Sequence, residues 1–242
     1  MKAILVRIGV DHAYGGWNAP VDPVTREFVY VPIPDGDQKE CTHGNAHGYE
    51  EIRPPLTAFA AKHGISSLRL PTSLWQRRMH LDPDFNNLTY GDNGALRGAK
   101  IAKLGTNDLL VFYAGLRPTV DQTRLVYALV GLFVVNEVVR ARDVSAERMH
   151  ENAHTRWKAI SDNDVIVRAV PGLSGRLDRC IPIGQWRDKA YRVCRDVEGA
   201  WGGLTVKDGY IQRSVVPPEF IDARKFYKWF QQQGVLLLEK NN

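Results

Sequence analysis

The acidic residues between positions 82 and 92 are the first candidates for chemistry. Asp82, Asp84 and Asp92 fall within one irregular segment that also contains Tyr90. Closely spaced carboxylates bind Mg²⁺ or act as a general acid and a general base. Asp-Pro and Gly-Asp pairs are also typical of turns, and that alternative stays open. We expect Asp82 or Asp92, together with His154, to transfer protons.

Residues 150–154 spell the zincin pattern H-E-x-x-H. On a helix, His150 and His154 would share a face and Glu151 would activate a metal-bound water. The residues before the pattern lack the apolar stripe of a buried metalloprotease helix, and no third ligand is spaced convincingly after it. A metal hydrolase stays an alternative, but we predict no metal site and a separate role for His154 and Arg156.

A second group of metal-binding side chains lies in a glycine-containing loop. His43 and His47 are four residues apart, and Cys41 is nearby. Such a group suits a divalent ion, but an exposed loop is the commoner explanation of this pattern. We therefore assign no metal to it.

Two loops carry side chains that suit a phosphate group. Residues 172–176 offer Ser174, Arg176 and backbone N–H groups, although a plain hairpin connection explains the same residues. Residues 202–214 combine glycines with Lys207 and Arg213. A loop so rich in polar groups indicates a site more than an average surface loop does.

Aromatic side chains outside any apolar stripe are the best indication of a ligand. Each has Gly, Asn or Asp nearby, where a flat ring stacks on a base while polar neighbours read the edge of that base. These residues are Tyr14, Trp17, Tyr90, Tyr113 and Trp201. By contrast, Phe226, Trp229 and Phe230 have helical spacing and are expected in the core.

The elements that must position these residues are mainly strands in the middle of the chain. Patterning predicts strands at 2–9, 27–33, 108–116, 125–139 (bent at Gly131), 165–170 and 176–183, and helices at 56–63, 185–198 and 219–233. Helices outside a block of strands favour a mixed sheet over alternating βαβ units. We predict an α+β fold with a mixed, partly barrel-like β-sheet and flanking helices, for which a PUA-like arrangement is one candidate.

Length, charge and cysteine content limit the class of protein. The 242 residues suffice for one domain, comprising an N-terminal elaboration (1–105), a β-rich core (106–185) and a helical C-terminal part (186–242). A formal charge of +5 favours polyanionic partners such as nucleic acid. The longest apolar stretch is too short to span a bilayer, and the first residues predict a strand, not a signal peptide. Three cysteines without metal-site spacing suit a reducing compartment, so we expect a cytoplasmic protein without a membrane partner.

Several segments together resemble a known family. They lie at 5–11, 14–18, 89–92, 108–116, 152–156, 174–177, 201–204 and 208–214. They resemble the nucleotide-modification-associated domain family, third group, over nearly the whole chain. That family is linked to DNA base modification systems of phages and bacteria. The resemblance therefore implies a protein that acts on or binds a nucleobase or nucleotide, with DNA or a nucleotide as its partner and no cofactor identified.

The middle of the chain is also similar to the strand order of PUA-like domains, which include the EVE, YTH and ASCH modules. The residues that carry this similarity lie at 107–113, 130–138, 164–168 and 181–183. EVE and YTH modules hold a flipped, modified base in an aromatic cage, which implies a pocket against Tyr113. In those modules a glycine commonly precedes the aspartate, whereas Asn107 stands there in this chain.

Two hypotheses follow from the residues and the resemblance. The first is an enzyme that acts on a base or nucleotide, and the second is a non-catalytic reader of modified bases in DNA. Under either hypothesis we expect the base or its phosphates to contact Asp11, Tyr14, Trp17, Asn18, Tyr90, Tyr113, Arg156, Ser174, Arg176, Lys207 and Arg213.

Overall fold

The structure, a computed structural model, describes residues 1–36, 41, 47–95, 97–120, 124–212 and 216–242. Within these residues the strands are β1 (Ala3–Arg7), β2 (Pro20–Val21), β3 (Ile33–Pro34), β4 (Met79–His80), β5 (Thr89–Asn93), β6 (Leu109–Pro118), β7 (Val126–Arg140), β8 (Asp164–Ala169), β9 (Gly175–Pro182), β10 (Gly184–Arg187), β11 (Ala190–Val193) and β12 (Leu237–Leu238). The α-helices are α1 (Arg53–Lys62), α2 (Ala153–Arg156), α3 (Arg195–Trp201) and α4 (Ala223–Gln231).

One large sheet organises the chain. Strands β1, β6, β7, β8 and β5 follow one another across it, while β2 also pairs with β6, and β9 pairs with both β7 and β12. Strands β1 and β2 run parallel to β6, and the other pairs of this sheet are antiparallel. The predicted mixed α+β fold is confirmed. The described strands do not close into a barrel, and the PUA-like resemblance is not confirmed.

Strands β6 and β7 form the centre of the core. Nine of the ten β6 residues are buried, as is typical of a strand covered on both faces. The 15 residues of β7 pair first with β6 and β9 and then, towards Arg140, with β8. The pairing with β9 shifts register between Leu129 and Gly131, where the sequence predicts a bend. A side chain at Gly131 would meet the Phe85 ring at 2.7 Å, so only glycine lets that ring pack on β7.

The predicted helix at 185–198 is wrong over most of its length. Strands β10 and β11 form a hairpin there, and α3 begins only at Arg195. Asp188 and Lys189 connect the two strands with positive φ angles of 51° and 61°, as in the tight turns that match the twist of a hairpin. Trp186 and Tyr191 are directly opposite each other across it. The C-terminal part is therefore less helical than the sequence predicts.

Two further predictions in the first half of the chain need correction. The strand predicted at 27–33 is reduced to β3, and the segment 71–94, predicted to be irregular, contains β4 and β5. Proline has no N–H to donate to a ladder, which limits pairing around β3. Helix α1 overlaps the helix predicted at 56–63, and helix α4 lies within the helix predicted at 219–233. Among the described helices, none has both the length and the apolar character needed to cross a membrane.

Candidate active site

Five ionisable side chains meet beside the sheet edge that β5 forms. They come from the residue after β3, from β4 and its continuation, from α2 and from the first residue of β8. We call them the His–Asp cluster; its members are Asp35, His80, Asp82, His154 and Asp164. The segment through β4 places its apolar residues Met79 and Leu81 in the core. Because side chains alternate along an extended chain, His80 and Asp82 then point together into the cluster.

Asp82 lies at the centre of the cluster. Its Oδ1 accepts hydrogen bonds from the backbone N–H of Gly91 at 2.6 Å and from Asn152 Nδ2 at 3.3 Å. Its Oδ2 faces both histidines, 3.4 Å from Nε2 of His154 and 3.7 Å from Nε2 of His80. Burial raises the pKa of this carboxyl, but the two imidazoles outweigh burial and leave the pKa below its ordinary value.

His154 is held between two carboxylates. Its Nδ1 is 2.8 Å from Asp164 Oδ2, while its Nε2 faces Asp82. Burial disfavours the charged ring, but the hydrogen bonds and negative charges of Asp164 and Asp82 outweigh it and raise the pKa of His154 to about 9. Asn93 Nδ2 donates to the other oxygen of Asp164 at 3.3 Å. The imidazole is therefore protonated at neutral pH, and 12% of the side chain is exposed.

His80 occupies a matching position on the other side of Asp82. Its Nδ1 is 3.2 Å from Asp35 Oδ1, a close ion-pair distance without hydrogen-bond geometry. The ring stacks on Trp157 with centroids 5.3 Å apart, and Trp157 Nε1 donates to Asp35 Oδ2 at 3.1 Å. Burial lowers the pKa of His80, but Asp35 and Asp82 outweigh burial and raise that pKa above its ordinary value.

The backbone around the cluster is shaped to hold His154. Asn152 is extended, with φ −145° and ψ 154°, and its Oδ1 accepts from the backbone N–H of His154 at 2.9 Å, which caps α2. Asn152 Nδ2 also donates to Thr89 Oγ1 at 3.2 Å. A side chain at Gly91 would meet His154 Cδ2 at 2.5 Å and Asn152 Oδ1 at 2.6 Å. Glycine is therefore required where β5 passes the imidazole.

The arrangement allows two kinds of chemistry. A protonated imidazole that is partly exposed can donate a proton to a bound substrate. Alternatively, the nitrogen and oxygen atoms of His80, Asp82 and His154 that face each other lie within 4.8 Å of one another, and two imidazoles with a carboxylate are also metal ligands.

The H-E-x-x-H pattern does not form a single helix. Residues Ala146–Glu151 make a 3₁₀ helix, and extended Asn152 separates it from α2. His150 is exposed, so it does not share a helical face with His154. Glu151 is buried in ion pairs, 2.8 Å from Arg148 and 2.6 Å from Arg168. The glutamate thus has a structural role in this fold.

Asp92 and Tyr90 lie on β5 but face away from the cluster. Because side chains alternate along a strand, residues 90 and 92 point opposite to position 91, which faces His154. The Tyr90 hydroxyl donates to Asp92 Oδ2 at 3.0 Å, and the tyrosine is buried. Of the three predicted proton-transfer residues, the structure thus brings Asp82 and His154 together.

Several predicted binding residues lie in the interior. Tyr113 is 1% exposed and donates its hydroxyl to the Ile211 carbonyl at 2.8 Å. Trp201 is fully buried among aromatic rings of the C-terminal part. The Ser174 hydroxyl accepts from the Val134 backbone N–H at 3.0 Å, within the sheet. These side chains stabilise the core.

Two predicted phosphate-binding arginines are also buried. Arg156 pairs with Asp84 at 2.8 Å and donates from Nε to the His150 carbonyl at 2.7 Å. Arg176 lies over the Phe28 ring, with its guanidinium carbon 5.3 Å from the centroid, and burial lowers its pKa to about 10. Neither arginine belongs to the His–Asp cluster.

Trp17 and Asn18 line a groove at the other end of the sheet, beside the end of β6. The Trp17 groove, as we call it, also contains Arg69, Arg117 and Thr119. Asn18 Nδ2 donates to the Gly115 carbonyl at 2.7 Å. Asn18 Oδ1 and Thr119 Oγ1 are buried and have no hydrogen-bond partner among the described residues.

Of the remaining predicted residues, Asp11 is buried, Tyr14 and Lys207 are exposed, and the others lie outside the described residues. Asp11 pairs with Arg7 at 2.9 Å and accepts from the backbone N–H of Tyr14 at 2.8 Å, while the Tyr14 ring is 62% exposed. Lys207 is exposed beside Asp208, which binds Arg187. Arg213 and Ser214 of the same loop lie outside the described residues, as does His43.

Sequence reasoning missed three members of the His–Asp cluster: Asp35, His80 and Asp164. One signal was available for His80, because the polar residues at 80 and 82 alternate with apolar Met79 and Leu81. The other two reach the cluster only through strand pairing. β3 pairs with β4, with Ile33 opposite His80, and Asn93 is opposite Asp164 between β5 and β8.

Comparison with known proteins agrees with the resemblance noted in the sequence. No curated protein and no solved structure matches the chain. The family model described as nucleotide modification associated domain 3 matches residues 2–197, a range that includes the whole His–Asp cluster and the Trp17 groove. The chain therefore belongs to the nucleotide modification associated domain 3 family.

Proposed function

We propose that the chain is an enzyme that acts on a nucleobase or nucleotide in DNA modification, with its reacting centre at the His–Asp cluster. The observation that carries this proposal is the imidazole of His154, held between Asp82 and Asp164 with 12% of its side chain exposed. Strongly shifted ionisable groups that share a site are typical of catalytic centres. The family, associated with nucleotide modification, supplies the class of substrate.

Within this centre, the side chains have different roles. Asp164 fixes the ring orientation of His154 through Nδ1, so Nε2 is the nitrogen that faces Asp82 and the reacting group. Asp82 is kept ionised by the two imidazoles and compensates the positive charge on His154. In the absence of a metal ion, His154 donates a proton and Asp82 accepts one at neutral pH.

The experiment that tests the enzyme proposal is a nucleoside digest of cellular DNA analysed by mass spectrometry. DNA is compared from cells that lack the gene, cells that carry it and cells that carry Asp82→Asn. We expect a nucleoside whose abundance changes with the wild-type gene and not with Asp82→Asn, and its mass gives the reaction class. Identical nucleosides in all three samples would overturn the proposal.

The second candidate function is a non-catalytic reader of modified bases, and the Trp17 groove favours it. An aromatic ring beside two arginines suits a base that carries a phosphate. The unpartnered Asn18 Oδ1 and Thr119 Oγ1 offer hydrogen bonds to the base edge. Binding of modified and unmodified oligonucleotides to wild type and Trp17→Ala tests this function. A reader loses binding in Trp17→Ala, while cellular nucleosides stay unchanged.

A further inference from the structure

We propose that His80, Asp82 and His154 bind one divalent transition-metal cation through Nε2 of each histidine and Oδ2 of the aspartate. The three side chains come from two distant segments of sequence, and their facing atoms lie within 4.8 Å of one another. The inference deepens the proposed function and rests on it for the role of the ion, since the metal would lie in the same reacting centre. The ion's presence is tested separately.

Two distances between the proposed ligand atoms are already close to those that a bound cation requires. A cation about 2.1 Å from each ligand separates neighbouring ligand atoms by about 3.0–3.4 Å in octahedral or tetrahedral geometry. Asp82 Oδ2 is already 3.4 Å from His154 Nε2 and 3.7 Å from His80 Nε2. Shifts of the two rings towards the aspartate complete these two contacts, and the facing atoms of the two histidines, which lie within 4.8 Å of each other, must approach one another as well.

The outer nitrogens of both histidines support the same assignment. A histidine that binds a metal nearly always donates its other ring N–H to a carboxylate, a carbonyl or water, which fixes the ring. Nδ1 of His154 is 2.8 Å from Asp164, and Nδ1 of His80 is 3.2 Å from Asp35. Two histidines thus converge on one aspartate: Asp164 is hydrogen-bonded to His154, and Asp35 lies within ion-pair distance of His80.

The carboxylates are themselves held in place. Gly91 N–H and Asn152 Nδ2 occupy Oδ1 of Asp82 and leave Oδ2 for the cation. Asn93 donates to Asp164 and Trp157 donates to Asp35, so each outer carboxylate has one oxygen anchored and the other directed at a histidine. The ligands are thus oriented before an ion arrives.

The ligand types determine the class of ion. Imidazole nitrogens with a carboxylate suit Zn²⁺, Fe²⁺ and similar ions, whereas Mg²⁺ and Ca²⁺ prefer oxygen ligands. Asp35, Asp82 and Asp164 supply negative charge around the site. Three protein ligands leave at least one coordination position for water or a substrate atom, as in catalytic rather than structural sites.

The proposal is tested by metal titration of the full chain after removal of metal with a chelator. ZnCl₂ is followed by calorimetry and CoCl₂ by visible absorption, and FeSO₄ is titrated without oxygen. We expect one ion per chain, with MgCl₂ at least 100-fold weaker. His80→Ala should weaken ZnCl₂ binding at least 100-fold and Asp164→Asn about 10- to 100-fold. His150→Ala, at the exposed histidine of the H-E-x-x-H pattern, should bind as wild type does.

Circular dichroism first establishes that each variant is folded. If His80→Ala does not fold, the cobalt spectrum of wild type tests the metal site instead. Wild type that binds no stoichiometric ZnCl₂, FeSO₄ or CoCl₂ would overturn the proposal. So would a folded His80→Ala variant with unchanged affinity, or loss of binding in His150→Ala alone. These results are independent of the nucleoside digest. A protein that changes nucleosides but binds no ion keeps the proposed function and loses only the metal.

Discussion

The His–Asp cluster and the Trp17 groove differ in how their polar groups are satisfied. In the cluster, each carboxylate oxygen faces a donor or an imidazole, and His80 Nδ1, 3.2 Å from Asp35, is the ring nitrogen without a hydrogen bond among the described residues. In the groove, Asn18 Oδ1 and Thr119 Oγ1 are buried without a partner among the described residues. Buried polar atoms without partners are costly unless a ligand or water satisfies them. This difference supports the two proposals, chemistry at the cluster and binding at the groove.

The two regions lie near opposite ends of strand β7. The groove adjoins the end of β6, where Leu116 lies opposite Val126 at the start of β7. The cluster adjoins the start of β8, where Val165 lies opposite Arg140 at the end of β7. Substitutions in one region are therefore expected to leave the other intact, because sites without shared contacts act independently.

Replacement of His154 should have the largest effect. His154→Ala is expected to lower the yield of modified nucleoside about 10²- to 10⁴-fold, because it removes the proton donor of the metal-free centre and a ligand of the metal-bound one. It should also lower the free energy of unfolding by about 3–5 kcal/mol, because it leaves Asp82 and Asp164 buried without their cation. Nucleoside yield and urea unfolding check the two effects. His150→Ala is the control, and an equal loss in both variants would contradict a specific role for His154.

Gly91→Ala should displace the imidazole without removing it. The new methyl group would lie 2.5 Å from His154 Cδ2, so the ring must shift. A displacement of about 1 Å at a reacting group costs about 100-fold in rate, and we expect a loss of that size. Gly105→Ala is the matched control, since a side chain there meets nothing within 4 Å. Similar nucleoside yields from the two alanine variants would show that the position of His154 does not matter.

The stability of the metal-free protein should depend on pH through the same cluster. The raised pKa of His154 adds stability that is complete below about 6.5 and is lost as the pH rises through about 9. The lowered pKa of Asp82 adds stability that is complete above about 3.8 and is lost at lower pH. We expect the free energy of unfolding to fall by about 3 kcal/mol between pH 6 and pH 10 in wild type through His154. A His154→Gln variant with the same slope would contradict this assignment.

Changes in the groove should have the smallest effect and should separate binding from chemistry. Trp17→Ala removes a stacking surface, and loss of one base stack weakens nucleotide binding about 5- to 100-fold. Arg117→Ala should weaken binding less and reduce its dependence on salt. Fluorescence titration with a labelled oligonucleotide measures both, and Trp186→Ala, at an exposed tryptophan outside the groove, is the control. Equal binding by Trp17→Ala and wild type would exclude the groove as the nucleotide-binding site.

Residue type predicts part of the His–Asp cluster, and strand pairing determines the rest. The sequence predicts a role in proton transfer for Asp82 and His154, because carboxylates and histidines carry most of that chemistry. Asp35 and Asp164 could not be identified, because they reach the cluster through the β3–β4 and β5–β8 registers, which connect distant segments. The same limit explains why the sequence predicts Tyr113 and Trp201 as rings that stack on a base, although both are buried in the core. A glycine nearby in sequence does not reveal whether a ring faces solvent or the core.

The length of the hydrophobic pattern determines which secondary-structure elements the sequence predicts correctly. Strands β6 and β7 have long apolar runs. Because such runs form buried strands whichever strands they pair with, the sequence predicts both. The β10–β11 hairpin was mistaken for a helix, because its four-residue strands are shorter than one clear period of either pattern. Its turn signal, Asp188-Lys189, is not a typical glycine-containing hairpin turn.

The most direct test of the central claim is the nucleoside yield from cells that carry His80→Ala, normalised to the amount of folded protein. His80 joins the cluster only in the folded chain, 3.7 Å from Asp82, where we propose that it keeps Asp82 ionised and binds the metal ion. We predict a loss of at least 100-fold relative to wild type, with His150→Ala unchanged. A yield from His80→Ala equal to that of wild type would contradict the assignment of the reacting centre to the His–Asp cluster.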